Sequence, residues 1–289
     1  MKKMKWLFIL VVMMTAGHQI SVKDNTCQII QENSEQIPVN ADTGITEAEF
    51  NSILSEFIKV NNPLVKEQGF ELVIENKWKD STVNASTYTK GKKWIINAYG
   101  GLARYEGMTA DAYTMVLCHE LGHHMGGFPK IGTSWASNEG QSDYYATAKC
   151  FPRMSYSRKK AFNVPEIVTE GCSLLHKSQK EIQLCEKSSL IGFELASVLD
   201  SLSRRANKIS RLEGGISFST PDKTEVEKTY SGHPKAQCRL DTYFAGAMCN
   251  MPHTEDFADD NAITGACAEE KGDKIAVRPH CWYKPSLSF

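Results

Sequence analysis

The sequence lacks an excess of charge of either sign. Its 289 residues include 33 Lys and Arg against 34 Asp and Glu, which gives a formal net charge of −1. Proteins that bind nucleic acid through bulk charge need a surplus of cations to displace the counterions of the phosphates. We therefore predict no nucleic-acid partner. With 41% hydrophobic and 23% charged residues, the composition also excludes an acidic disordered chain.

Long apolar runs are missing as well. Beyond the first residues no segment approaches the roughly 18 uninterrupted apolar residues of a membrane-spanning helix, so we predict no stable membrane insertion. One short apolar run, residues 6–14, follows three lysines and precedes Thr-Ala-Gly at residues 15–17. This order is typical of a secretory signal peptide. We therefore expect a signal peptide over residues 1–17 and an exported protein, either periplasmic or secreted.

The first third of the remaining chain predicts a small sheet. Residues 18–44 are polar and show no periodicity, and we interpret them as a loose lead-in. Thr46 and Glu49 have the spacing of a capping box at the start of a helix. Alternating apolar residues then predict three strands, over residues 70–74, 82–89 and 93–99. We expect these strands to pair as a small antiparallel sheet.

Helical periodicity dominates the rest of the chain. It predicts helices over residues 109–125, 138–150, 164–176, 180–207 and 234–249. The last segment, residues 251–289, is rich in turn residues and contains cysteines. We therefore expect an α+β protein, with a small sheet packed on a mostly helical body over residues 45–250. A disulfide-tied C-terminal tail is expected to pack on that domain.

The candidate chemistry is concentrated in one His-Glu-Leu-Gly-His motif. His119 and His123 are four residues apart on a predicted helix, so both imidazoles can bind one metal ion. Catalytic zinc usually has three protein ligands, and Glu139 on the next helical segment is the expected third ligand. Asp143 lies one turn further on and is expected to hold the ring of a ligand histidine. Glu120 is the expected general base.

These residues resemble the gluzincin zinc metallopeptidases, in the branch related to the CAAX prenyl endopeptidases. Two further segments agree with that family: Ile-Asn-Ala-Tyr-Gly-Gly-Leu at residues 96–102, and His-Pro-Lys-Ala-Gln-Cys-Arg-Leu at residues 233–240. The resemblance covers about residues 94–240. The connector before Glu139 is much shorter than is usual in the family, and later transmembrane segments are absent. The chain therefore resembles a compact, exported variant.

The resemblance implies a zincin-like fold, one Zn2+ per chain and hydrolysis of peptide bonds in a protein or peptide substrate. It also implies that His233 and Arg239 are catalytic residues that stabilise the oxyanion. The alternative for both is structural, with Pro234 as an ordinary first residue of a helix and Arg239 paired with Asp241 or with a buried acid.

The strand before the zinc helix is the expected substrate strand. An open strand edge binds an extended peptide of varied sequence through main-chain hydrogen bonds. We expect this edge at Ile96, Asn97, Ala98 and Tyr99. The alternative is an ordinary internal strand.

Two other functions stay open. The first is a non-catalytic exported binding protein in which zinc is structural and His233 is the fourth ligand. Glu120 weighs against this function, because a structural site needs no base. The second is a zinc hydrolase of a non-peptide amide, such as a peptide deformylase, which also uses a His-Glu-x-x-His motif. Export and the lack of a suitably placed cysteine ligand weigh against that chemistry.

The nine cysteines are consistent with export. Cys118 lies in an apolar stripe and is expected to be a buried free thiol. Cys172 and Cys185 flank a short polar turn and are expected to pair. Cys238 and Cys249 share one predicted helix at a separation of about 16 Å, which is too far for a disulfide. No Cys-x-x-Cys pair is present, so a cysteine-rich zinc site is not predicted.

Overall fold

The computed structural model describes residues 26–31, 34–132, 134–154, 163–207 and 215–286. It confirms the α+β class, with one sheet and a larger helical part. The predicted signal peptide over residues 1–17 lies outside the described residues. Within those ranges, no helix combines the length and the apolarity needed to cross a bilayer.

Four strands form one mixed sheet. They are β1 (Thr26–Gln28), β2 (Glu71–Lys77), β3 (Ala85–Lys90) and β4 (Lys93–Tyr99), in the order β1-β3-β4-β2. A tight hairpin at Gly91 makes β3 and β4 antiparallel, and it places β4 between β3 and β2. Because the chain reverses direction twice between β2 and β4, these two strands run parallel. The expectation of a purely antiparallel sheet is therefore wrong.

The expected open edge at residues 96–99 is also wrong. Ile96, Asn97 and Ala98 are each paired with β2 on one side and with β3 on the other, and Tyr99 is paired with β2. β4 is therefore an internal strand of the sheet, which was the alternative for this segment. The edges of the sheet are β1 and β2.

Part of the expected lead-in belongs to the folded domain. Residues 26–28 pair antiparallel with β3, and Gln36 forms a bridge with Thr82. Ile29 is completely buried. Residues 18–25 lie outside the described residues. The interpretation of residues 18–44 as loose therefore fails from residue 26 onward, because a short strand with one buried apolar residue is too brief to show a period.

The helices follow the predicted segments closely. They are α1 (Glu47–Glu67), α2 (Gly100–Ala103), α3 (Ala110–Met125), α4 (Glu139–Tyr145), α5 (Phe151–Met154), α6 (Glu166–Leu175), α7 (Gln179–Asn207) and α8 (Ala236–Met248), with a π-helical turn over Ala146–Cys150. The capping box of Thr46 and Glu49 starts α1 as predicted. Thr109 caps α3, which is buried along almost its whole length between the sheet, α4 and α7.

Four disulfides connect the helices and the C-terminal segment. They join Cys118 to Cys150, Cys172 to Cys185, Cys238 to Cys281, and Cys249 to Cys267. The predicted Cys172 pair and the separate partners of Cys238 and Cys249 are confirmed. The prediction of a free Cys118 is wrong, because the π-helical turn after α4 packs on α3 and brings Cys150 beside it. All nine cysteines fall within the described ranges, and the free thiol is Cys27.

Candidate metal centre

A close approach of α3 and α4 builds the centre. A Cβ atom added to Gly122 would lie 2.9 Å from the Cα atom of Ser142, so the absence of a side chain lets the two helices touch. Asn138 starts α4 by accepting a hydrogen bond from the backbone N–H of Gln141 at 2.9 Å. Glu139 is therefore the first residue of α4 and faces α3.

The three predicted ligands lie together, as the sequence indicates. The Nε2 atom of His119 is 3.2 Å from Oε2 of Glu139, and the Nε2 atom of His123 is 3.7 Å from Oε1 of the same carboxylate. The three ligand atoms of this group all lie within 4.8 Å of one another. Both imidazoles are completely buried and Glu139 is 4% exposed.

The atoms that face one another have no hydrogen-bond partner among the described residues. They are Nε2 of His119, Nε2 of His123 and Oε2 of Glu139. Leaving buried polar atoms unpaired costs free energy, and a bound cation with nitrogen and oxygen ligands removes that cost. His119, His123 and Glu139 can therefore hold a metal ion.

The opposite side of each ring is anchored. The Nδ1 atom of His123 donates to the backbone carbonyl of Ser137 at 2.8 Å. Because a carbonyl only accepts, this nitrogen carries the hydrogen and Nε2 keeps its lone pair. The Nδ1 atom of His119 contacts Oδ1 of Asp143 at 2.7 Å. Both rings are thus oriented with Nε2 toward Glu139, which is the usual arrangement of histidine ligands.

Asp143 lies where the sequence predicts it, at the centre of a buried network. Arg239 donates to both of its oxygens at 2.7 Å, and the Tyr243 hydroxyl donates to Oδ1 at 2.6 Å. Burial alone would raise the pKa of Asp143, but the charges of Arg239 and His119 outweigh it and lower the pKa. Asp143 is therefore held as a carboxylate.

Arg239 thus corresponds to the structural alternative, with Asp143 rather than Asp241 as the buried acid. Arg239 also donates from Nη1 to the backbone carbonyl of Ile29, at 2.8 Å. Sequence analysis missed Tyr243, although it lies one helical turn after Arg239 and shares its face. That spacing was the available signal.

Glu120 is surrounded in a different way. It is completely buried, and neither of its oxygens has a hydrogen-bond partner in the described part of the chain. Burial raises the pKa of Glu120 to about 8, with the charge of Glu139 adding to the rise and that of His119 opposing it. A carboxyl group with such a pKa can accept and release a proton near neutral pH.

The electrostatic field of the site favours a cation. Burial disfavours the charged form of His119, but Asp143 and Glu139 outweigh burial and raise its pKa to about 9. Burial lowers the pKa of His123 to about 4. The charges of His233, His123 and His119 outweigh burial at Glu139 and lower its pKa. A positive charge is therefore stabilised between the carboxylates of Glu139 and Asp143.

Two further histidines lie close to the ligand group. His233 donates from Nε2 to the backbone carbonyl of Gln28 at 2.7 Å, and the same atom is 3.4 Å from Oε2 of Glu139. His124 is turned away from the site, with its Nε2 atom 2.7 Å from the Thr87 hydroxyl. Its ring is stacked between two tryptophans. Neither belongs to the group of three ligands.

The sequence analysis did not predict that the N-terminal strand β1 lies at the site. Burial raises the pKa of the Cys27 thiol, and the charges of Glu139 and Glu120 raise it further. The thiol therefore lies near both carboxylates. The two adjacent isoleucines at 29 and 30, within an otherwise polar segment, were the signal that these residues are packed.

Comparison of the chain with protein-family models, with curated proteins and with solved structures finds no match. The likeness to the gluzincin metallopeptidases therefore rests on the motifs alone. The function is inferred from the chemistry of the site.

Proposed function

We propose that this protein is an exported zinc-dependent endopeptidase. The supporting observation is the convergence of two buried imidazole nitrogens and one carboxylate, with the far side of each ring already engaged. Two histidines and one glutamate are typical of catalytic zinc, because they leave a coordination position for water or substrate. His119, His123 and Glu139 are the proposed ligands of Zn2+.

When bound, Zn2+ supplies Lewis acidity, which lowers the pKa of water and polarises a peptide carbonyl. Glu120 accepts the proton of the attacking water and delivers it to the leaving amine nitrogen. His233 can donate a hydrogen bond to a substrate carbonyl, as it does to Gln28. Arg239 acts through Asp143, as a positioning residue for His119.

Export is part of this proposal. Four disulfides are typical of proteins that fold in an oxidising compartment. The charged and apolar N-terminal residues agree with that compartment. A periplasmic or secreted endopeptidase is therefore favoured over a cytosolic enzyme.

A structural zinc site remains the alternative, and it requires His233 as a fourth ligand. The His233 Nε2 atom donates to Gln28 and is therefore already engaged. A structural site would also leave the buried, unpaired Glu120 without a role, at a cost in stability. Both observations favour the catalytic function.

The decisive test compares the wild-type protein with Glu120→Gln. We expect both proteins to retain stoichiometric zinc, because Glu120 is not among the proposed ligands. Hydrolysis of an unfolded protein substrate should fall by roughly 10²- to 10⁴-fold in the variant, since the general base is removed. Zinc content is measured by elemental analysis and hydrolysis by release of new amino termini. Equal activity of the two proteins would refute the mechanism.

Ligand assignment is tested separately. His123→Ala and Glu139→Ala should lose both zinc and activity. His124→Ala is the matched control, because this ring is on the same helix but is stacked between tryptophans. The control should keep stoichiometric zinc. Undiminished zinc in Glu139→Ala would show that the third ligand is a different residue.

A further inference from the structure

The proposed reactive groups are almost completely covered. His119, Glu120 and His123 are 0% exposed, and Glu139 is 4% exposed. An endopeptidase must bring a substrate main chain within hydrogen-bond reach of such groups. A segment that covers these groups would therefore have to move before a polypeptide main chain can reach them.

The main chain at the end of strand β1 lies against the centre. It occupies the outer edge of β3, with Cys27 opposite Thr87 and Gln28 opposite Ser86. The backbone N–H of Ile29 donates to the carbonyl of Ala85 at 3.2 Å. Because hydrogen bonding alternates along an antiparallel strand, the carbonyl of Gln28 points away from β3.

Two carbonyls at the end of this segment, those of Gln28 in β1 and of Ile29 just beyond it, are held by residues that surround the ligands. His233 donates to the Gln28 carbonyl at 2.7 Å, and Arg239 donates to the Ile29 carbonyl at 2.8 Å. These donors also contact Glu139 and Asp143. A bound peptide would need the same donors for its own carbonyls.

The side chains of Cys27 and Ile29 also face the centre. Residues opposed in an antiparallel pair project to the same face of the sheet, and Thr87 contacts His124 of α3. Cys27 and Ile29 therefore point toward the metal-binding helix. Ile29 is completely buried, and the charges of Glu139 and Glu120 raise the pKa of the Cys27 thiol.

We propose that residues 26–29 are a self-inhibitory strand that lies in the position of an extended peptide substrate. The centre is latent while this strand is paired with β3, and it opens when the strand is displaced or removed. A substrate then adds to β3 in the antiparallel direction, with its carbonyl oriented by His233. This inference rests on the proposed endopeptidase function and deepens it.

The test locks the strand in place with a disulfide. Opposed residues of a hydrogen-bonded antiparallel pair have Cα atoms about 5.5 Å apart, which a disulfide can span. Thr87→Cys can therefore pair with Cys27, and the count of free thiols then falls to zero. Thr87→Ser is the matched control, because it keeps the hydroxyl group and leaves Cys27 free.

Two properties of the zinc-loaded proteins are measured. One is hydrolysis of an unfolded protein, and the other is binding of a fluorescent peptide with the sequence of residues 25–31 and Ser in place of Cys27. We expect the locked protein to lose both, whereas Thr87→Ser retains both. Equal peptide binding and hydrolysis in the two proteins would overturn the proposal.

A second variant releases the strand. Ile29→Asp places a charge in the buried position and should raise peptide affinity and hydrolysis by roughly tenfold, because apparent affinity rises with the fraction of open protein. Alkylation of Cys27 should accelerate in the same variant. Val39→Asp is the control, since Val39 is 47% exposed and its change should alter neither rate nor affinity. Faster alkylation without tighter peptide binding contradicts the proposal.

The outcomes separate the two proposals. If no variant hydrolyses protein but the peptide binds only to the unlocked proteins, the endopeptidase function fails and strand exchange stands. If the locked protein retains hydrolysis that depends on Glu120, the function stands and strand exchange fails. Absence of peptide binding by both Thr87→Ser and Ile29→Asp overturns the inference directly.

Discussion

Glu120 and Asp143 are both completely buried carboxylates of the candidate centre, yet their surroundings are opposite. The oxygens of Asp143 accept hydrogen bonds from Arg239 and Tyr243, and one of them contacts His119. Neither oxygen of Glu120 has a partner among the described residues. Although both groups are equally buried, the donors around Asp143 lower its pKa, whereas burial raises the pKa of Glu120.

The difference in hydrogen bonding suits the two carboxylates to different roles: Asp143 to holding its neighbours in position, and Glu120 to transferring a proton. A carboxylate saturated by donors stays charged and fixes the geometry of its neighbours, as Asp143 does for the ring of His119. A carboxylate without donors sits closer to the balance between its two protonation states, which a proton-transfer group requires. Both kinds of carboxylate, Asp143 and Glu120, lie beside His119.

The largest expected effect on stability comes from removing the cation that pairs with Asp143. Arg239→Met leaves Asp143 charged and buried without its cation, and we expect unfolding free energy to fall by about 3–5 kcal/mol. Urea denaturation measures this loss. Arg204→Met is the control, because Arg204 pairs with Asp200 near the surface and its loss should cost about 0–1 kcal/mol. Similar losses in both variants would contradict the distinction.

The pH dependence of stability should have opposite signs for the two acids. The pKa of Glu120 is raised from 4.5 to about 8, so the folded protein binds the proton more tightly than the unfolded chain. Glu120 therefore lowers stability as pH rises between these values. In metal-free protein, Glu120→Gln should raise the melting temperature at pH 8 more than at pH 5. A gain that is independent of pH would argue against a raised pKa.

Asp143 should act in the opposite direction. Its lowered pKa contributes stability above the pKa of the unfolded chain, and this contribution is lost as pH falls through the lower, folded value. Asp143→Asn should therefore flatten the acid limb of the stability curve. Because Asp143 also raises the pKa of His119 to about 9, the same variant should reduce the loss of stability between pH 6.5 and 9. Thermal melts of metal-free protein at several pH values measure both limbs.

The smallest expected effect concerns the third group on Asp143. Tyr243→Phe removes one hydroxyl donor at 2.6 Å and leaves the Arg239 contacts intact. We expect a loss of about 1.5 kcal/mol, the lower end for a hydrogen bond to a charged group. Zinc content should not change. A loss as large as that in Arg239→Met would show that the network has no dominant partner.

Much of the candidate centre could be predicted from local spacing. His119 and His123 lie one helical turn apart, as do Glu139 and Asp143, and the backbone geometry of a helix alone places each pair on one face. The capping residue Thr109 marks the start of α3 in the sequence and in the structure. Cys172 and Cys185 also paired as expected, because a short turn connects their helices.

The incorrect expectations all concern partners that are distant in sequence. Burial of Cys118 followed from its apolar stripe, but its partner Cys150 is 32 residues away. For Arg239 the sequence offered Asp241 or an unnamed buried acid as partners, and it could not name Asp143, which lies 96 residues away. Periodicity reports which face of an element is buried, and it carries no information about which other element covers that face.

The sequence by itself therefore determined most of the helices and strands, the shared faces of His119 with His123 and of Glu139 with Asp143, and the candidate base, since these depend on backbone geometry over one or two turns. Only the tertiary structure decided that β4 is internal, that β1 lies against the centre, and that Glu120 is left without donors. Sheet order and hydrogen-bond saturation depend on which surfaces are buried together. That choice is made by the packing of the whole chain.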